Sequence, residues 1–273
     1  MSGERYKIVI WCGGAANQKA LACKIAAEFP VAGIVIDEGV KRVSKKKWQQ
    51  IPFLIYDRLR FRRIYNSWKY LMNHYHRAFP AWPDVPVIRV AGINSTQVLS
   101  FTNGHSPDLI VVSGTSLVKE PALNCSSGIG MINLHTGLSP YVKGAPNCTN
   151  WCISNNTWNL VGNTIMWLNA GIDAGNIITS ETLDIRQASD LNSAHLQVME
   201  HAHDLYLRAI RYLVSTPRPY ISIPQNTIAK GELFLSKMWT PEKRKLLLIN
   251  WKNRKRAADK SRPRTIALPG SDV

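Results

Sequence analysis

Three residue types in the middle of this chain could do chemistry together: the amide of Asn133, the imidazole of His135 and the carboxylate of Asp173. An amide donates hydrogen bonds, an imidazole changes charge near neutral pH, and a carboxylate accepts protons. The set therefore has the makings of acid–base work at a polarised centre. A structural explanation competes with it: an Asp flanked by glycines, as in Gly171-Ile172-Asp173-Ala174-Gly175, is by itself a turn former. Beside Asn133 and His135 the functional reading is preferred.

The elements that must position these residues follow from periodicity. The apolar run Gly130-Met131-Ile132 ends on Asn133-Leu134-His135 and breaks at Gly137, Pro140 and Gly144, a buried strand running into a long loop. Alternation puts Asn133 and His135 on one side of that strand end. A second strand, Asn163 to Leu168, stops at the Asp173 turn. The three side chains are expected to meet at the carboxyl edge of a sheet, from two neighbouring strand ends, where open α/β folds place ligands.

The motifs Asn133-Leu134-His135, Gly137-Leu138-Ser139-Pro140-Tyr141, Lys143-Gly144, Gly162-Asn163-Thr164-Ile165-Met166 and Gly171-Ile172-Asp173-Ala174-Gly175, in this order, resemble the signature of the folate-dependent formyltransferases. That family comprises methionyl-tRNA, glycinamide ribonucleotide and sugar N-formyltransferases. The His-x-Gly-x-x-Pro-Tyr loop is more similar to the sugar-modifying members. The resemblance implies a Rossmann-like α/β core with a mostly parallel twisted sheet, and formyl transfer from N10-formyltetrahydrofolate to a primary amine, that of a nucleotide-linked amino sugar. It implies roles as well. Asn133 would donate to the oxyanion, His135 would hydrogen-bond the same oxygen or shuttle a proton, and Asp173 would be the base. Folate would lie against Gly114, Thr115, Ser116 and Leu117, after the strand Leu109–Ser113, and against Ala170 and Gly171. The acceptor would be met by Gly14 and Asn17, the purine branch's phosphate turn, and by Tyr141 and Lys143. No metal is expected.

The remainder reads as an α/β chain. Strands at Tyr6–Trp11 and Val31–Asp37 flank a helix from Gln18 to Phe29, a β-α-β unit. Gly13-Gly14 before that helix lacks both the GxGxxG and the Walker patterns. Val87–Val90 is a strand, Ser95 caps a helix through Phe101, and Ser189-Asp190 caps another to about Val214. His195, His201 and His203 on it stand six and two apart, spacings that do not favour a metal. Residues 1–215 form the catalytic domain, with a helical basic insertion at about 39–82. Residues 216–254 are a C-terminal extension ending in a helix from Pro241 to about Asn253, and 255–273 a basic tail that reads as disordered.

The charge of +16 comes from two stretches. Residues 41–63 hold nine bases against Asp57, and 240–264 hold ten against Glu242 and Asp259. A polyanionic partner, such as a nucleotide-linked substrate, polyglutamylated folate or nucleic acid, competes here with an ordinary solvated basic surface. In the insertion, Trp48, Phe53, Tyr56, Phe61, Tyr65, Trp68 and Tyr70 alternate with arginines and are expected to pack inward, with the Arg heads in water. Five cysteines without paired or zinc-type spacing imply free thiols, and with no long apolar run or signal segment the expectation is a cytoplasmic protein without a membrane span. The homodimer is open. Methionyl-tRNA formyltransferase suits the charge, but the short stretch after Thr240 leaves little room for that enzyme's tRNA-binding domain; a non-catalytic folate or nucleotide binder is the other alternative.

Overall fold

The computed structural model describes residues 6–39, 51–144, 147–258 and 260–270. Lys41, Arg42, Lys45–Lys47, Trp48 and Asp259, which figured in the charge and insertion readings, lie outside the described residues.

Short β-branched runs make strands and the longer mixed runs between them make helices. In chain order the elements are β1 (Ile8–Gly13), α1 (Ala16–Glu28), β2 (Val31–Asp37), α2 (Ile51–Arg60), α3 (Arg62–Ala78), β3 (Val87–Val90), α4 (Thr96–His105) and β4 (Leu109–Ser113). There follow β5 (Gly130–His135), β6 (Val142–Gly144), α5 (Cys148–Ser154), β7 (Gly162–Trp167), β8 (Ile177–Thr182), α6 (Leu191–Ser215), β9 (Glu232–Phe234) and α7 (Pro241–Asn253). Seven strands form one sheet in the order β3-β2-β1-β4-β5-β7-β8. It is parallel from β3 to β5 and antiparallel at β5–β7 and β7–β8.

Alternation along β1 sorts the core. Ile8, Ile10 and Cys12 join α1 and α6 through Leu21, Ile25, Leu205 and Tyr206 on one face. Val9 and Trp11 join Val98 of α4 on the other, where the Trp11 indole N–H donates to Thr102 Oγ1 at 3.0 Å. Burying each such side chain stabilises by about 1.5–3 kcal/mol. A second core of Trp151, Trp158, Phe234, Leu247 and Trp251 welds α5 and α7 together, and Phe61 at the root of α3 belongs to it.

Three expectations need correction. The Ser95 helix runs on to His105, and its cap carries no side-chain hydrogen bond. The tail is not disordered over 260–270: Ile266 bridges Ser180 on the edge strand β8, and Leu268 is buried in the main core, because the open side of β8 offers unpaired backbone groups. Of the described aromatics expected to pack inward only Phe61 does so, while Phe53, Tyr56, Tyr65, Trp68 and Tyr70 are exposed; Tyr75, further along α3, is buried as well.

Candidate active site

β1 lies between β2 and β4, and the chain leaves the carboxyl ends of β1 and β4 on either side of a crevice, the switch point of an open parallel sheet. A cavity of about 480 Å³ opens there. Next to its wall the Tyr206 hydroxyl accepts the N–H of Val112, which lines the cavity, at 2.9 Å and donates to the Ile132 carbonyl at 2.9 Å, bridging β4 and β5.

Asn133, His135 and Asp173 all line this cavity. The route that brings Asp173 there is not the expected one. Because β7 runs antiparallel to β5, its end at Trp167 lies beside Ile132, behind His135. The loop beyond it has to double back to carry Asp173 to His135. Asp173 then stands in the left-handed region, φ 46°, which Asp tolerates better than most residues. Its Oδ2 lies 3.3 Å from His135 Nδ1 and accepts the Gly144 N–H at 3.0 Å. The Gln225 side-chain amide donates to the backbone carbonyls of Asp173 and Gly175, both at 2.8 Å, and pins the loop.

His135 is buried, and both ring nitrogens are engaged. Nε2 donates to the Val142 carbonyl at 3.0 Å, with Cys148 Sγ 3.6 Å away, while Nδ1 faces the carboxylate. A carbonyl can only accept, so Nε2 carries a hydrogen, and the carboxylate favours a second one on Nδ1. Burial, the largest single influence, disfavours the charged ring; Cys148, the Asp173 carboxylate and the Val142 carbonyl outweigh it and raise the pKa from 6.5 to about 9. Both ring nitrogens of His135 thus face protein groups, Nε2 the Val142 carbonyl and Nδ1 the Asp173 carboxylate. The Asn133 side chain makes no hydrogen bond to another described residue and is half-buried at the wall. Gly137 must lack a side chain, since a Cβ would strike His135 Nε2 and Cys148 Sγ.

On the opposite wall stand Gly114, Thr115, Ser116 and Leu117. Ser116 is tied down, its N–H and hydroxyl both donating to Asp37 Oδ2 at 2.8 and 2.6 Å. Asn17 also lines the cavity, its Oδ1 buried without a partner, as is Gln18 Oε1 beside it. Gly171 is on the wall, whereas Ala170 and Gly14 are not. Nor are the acceptor candidates on the Pro140 loop: the Tyr141 hydroxyl accepts the Arg264 N–H at 2.9 Å, and Lys143 pairs with Leu233 across β6–β9.

Residues outside the motifs complete the site. His195 of α6 lines the cavity between Ser67 Oγ and Asn150 Oδ1, 3.0 Å from each, and burial lowers its pKa to about 4, so it is neutral. Gln225 and β9 come from the C-terminal extension. β9 pairs in parallel with β6, which sets Gly144 at φ 91° with its N–H toward Asp173. No group of three or more His, Cys, Asp or Glu suited to a metal occurs among the described residues.

The family model described as formyl transferase matches residues 37–210. The chain belongs to the formyl transferase family. The chain is 30% identical over 135 residues to a methionyl-tRNA formyltransferase of Syntrophus aciditrophicus, an alignment covering 50% of this chain and 43% of that protein. The matched stretch is thus less than half of that relative's length. Among solved structures, glycinamide ribonucleotide transformylase 1 from Symbiobacterium toebii shares the fold at a TM-score of 0.55 and 16% identity, covering 82% of this chain and 95% of that one. The N-formyltransferase from Helicobacter canadensis, in complex with folinic acid and dTDP-3-aminofucose, gives 0.55 and 15%, with 90% and 80% covered. Both share the fold of this chain, whose sheet is mostly parallel and Rossmann-like. No helix among the described residues is long and apolar enough to cross a membrane.

Proposed function

We propose that this formyl transferase moves a formyl group from N10-formyltetrahydrofolate to a primary amine, the amino group of a nucleotide-linked amino sugar. The observation that carries the reading is the Asp173–His135 contact at 3.3 Å in the cavity that Asn133 also lines. The cavity suits a pterin: Leu117, Val118, Leu168 and Ile172 offer apolar surface for a flat ring, and the unpartnered Asn17 Oδ1 and Gln18 Oε1 can accept from N–H groups at its edge. When bound, the folate supplies an activated formyl carbon.

The chain's own groups divide the remaining work. The Asn133 amide is free to donate to an oxyanion, an interaction worth roughly a hundred- to a thousand-fold in rate. Asp173 keeps Oδ1 available to take a proton from the attacking amine while Oδ2 is held by Gly144 and His135. The charged imidazole fixes the carboxylate, and its positive charge lies beside the developing anion. The amino-sugar acceptor is supported by the Gly137–Tyr141 loop and by the Helicobacter canadensis neighbour, whose ligands are a folate and an amino-sugar nucleotide.

Purified protein with formyl-labelled folate is tested against a panel of nucleotide-linked amino sugars. Transfer is expected to at least one, and Asp173→Asn should lower it by about a hundred- to ten-thousand-fold while folate binding persists. Inertness toward every amine together with no folate binding would overturn the proposal, and unchanged turnover in Asp173→Asn would overturn the assigned base. The methionyl-tRNA relative and the basic charge favour a second reading, formylation of aminoacyl-tRNA, with affinity falling steeply as salt rises. Formylation of charged initiator tRNA in preference to every sugar would establish it. Folate binding without turnover on any amine would mark a non-catalytic binder. Nothing in the proposal requires a location other than the cytoplasm, or more than one copy of the chain.

A further inference from the structure

α2 is built the opposite way from an ordinary surface helix. Asp57 is its one buried residue; its Oδ1 accepts from Arg244 of α7 at 2.8 Å, and its Oδ2 from the Tyr65 hydroxyl at 2.7 Å. A helix turns about 100° per residue. With Asp57 facing the protein, Ile55 and Leu59, two positions either side, therefore lie about 160° away on the outermost face. These two are 55% and 67% exposed, and Phe53 and Tyr56 are each 59% exposed. The pole furthest from the core is thus apolar, with Arg58 on one flank. A large exposed apolar patch calls for a partner, where a single exposed Leu does not.

The charge selects the partner. Arg58, Arg60, Arg62 and Arg63 lie on α2 and the first turn of α3. The acid among them, Asp57, is already paired with Arg244. A second copy of the same face would bring arginines against arginines. Nucleic acid would satisfy the arginines and stack on the aromatics, but it offers nothing to Ile55, Leu59 and Leu54. An apolar pole flanked by arginines matches a surface that is anionic at its rim and hydrocarbon beneath, the geometry of an interfacial helix. The helix is rooted as well: Phe61, which follows it, is 2% exposed in the second core, and the Arg244 guanidinium lies 5.0 Å from that ring.

We infer that α2 and the start of α3 dock this protein on an anionic lipid surface, with Ile55, Tyr56 and Leu59 inserted at the acyl boundary and the arginines at the headgroups. Docking of this face does not depend on formyl transfer. α3 runs on from this face to Trp68 and Leu71, which line the cavity, so docking would set the cavity about two helical turns from the docked end of α3.

The test is flotation of the full chain with vesicles of phosphatidylcholine mixed with phosphatidylglycerol, and with vesicles of phosphatidylcholine alone. Binding is expected to the anionic vesicles only and to weaken with salt. The double variant Ile55→Ser/Leu59→Ser should weaken it by roughly a hundred-fold, about tenfold per side chain. Its melting temperature and its hydrodynamic size should stay unchanged, because both side chains point to solvent. Arg58→Ser/Arg62→Ser should weaken binding and flatten its salt dependence. Absence of flotation, or flotation undiminished in the Ile55→Ser/Leu59→Ser variant, overturns the inference. So does a wild-type dimer that this variant converts to monomer, or binding of single-stranded RNA with no binding of vesicles.

Discussion

Gln225 offers the sharpest way to test how the site is held. Its amide donates two hydrogen bonds of 2.8 Å, to the carbonyls of Asp173 and Gly175. Leucine has nearly the same volume and no donor, so Gln225→Leu removes the clamp without opening a cavity. A typical hydrogen bond contributes a net 0.5–1.5 kcal/mol, so losing two costs the loop about 1–3 kcal/mol. The loop also has to keep Asp173 at φ 46°, a conformation that a released chain leaves readily. Converted to populations, the competent arrangement becomes roughly five- to a hundred-fold rarer. The assay is kcat and KM for formyl transfer, with melting temperature alongside. We expect kcat/KM to fall within that range with little change in folate affinity. The decisive measurement is the cycle with Asp173→Asn. If Gln225 acts by placing Asp173, the double variant is no slower than Asp173→Asn alone. Additive losses, or an unimpaired Gln225→Leu enzyme, would refute the clamp.

Other expectations follow from the same geometry. The His135 pKa is raised to about 9 by Cys148 first and the Asp173 carboxylate second, so the charged ring contributes stability that is complete below pH 6.5 and is lost as pH rises through about 9. Melting temperature should fall over that window in the wild type and fall less in Asp173→Asn, where Cys148 still faces the ring. Glu181 is held below its ordinary value of 4.5, at about 2, by Arg208 first and His201 second. Its stabilisation is present above pH 4.5 and lost as pH falls toward 2, so Glu181→Gln should flatten the acid limb of a stability–pH curve. Gly144→Ala would bring a methyl into the Phe234 carbonyl at a φ of 91°. It should cost roughly 1–3 kcal/mol, seen in urea unfolding, and lower activity because the Gly144 N–H holds Asp173.

The α/β alternation, the edges of β2, β3 and α7, and the shared side of Asn133 and His135 were legible because they depend on local periodicity. The direction of β7 was not. Antiparallel and parallel buried strands present the same apolar run, so the path of the loop that returns Asp173 could not be read from residues 163–168. Gln225 carried no signal, since its partners lie some fifty positions earlier and a lone Gln after a proline is an ordinary loop residue. His195 was weighed for metal spacing, and its place at the cavity depends on how α6 packs, which spacing does not contain. The insertion misled for a related reason: mixed aromatic and basic composition does not say which side faces the protein, and a single ion pair, Asp57 to Arg244, decides it.

The pairing of β6 with β9 has a consequence for biosynthesis. A ribosome that has just released α6 has already delivered Asn133, His135 and Asp173, and every strand of the large sheet. Neither the amide that clamps the Asp173 loop nor the strand that orients Gly144 has yet emerged. The groups that hold Asp173 in place therefore come together only after every strand of the large sheet has emerged.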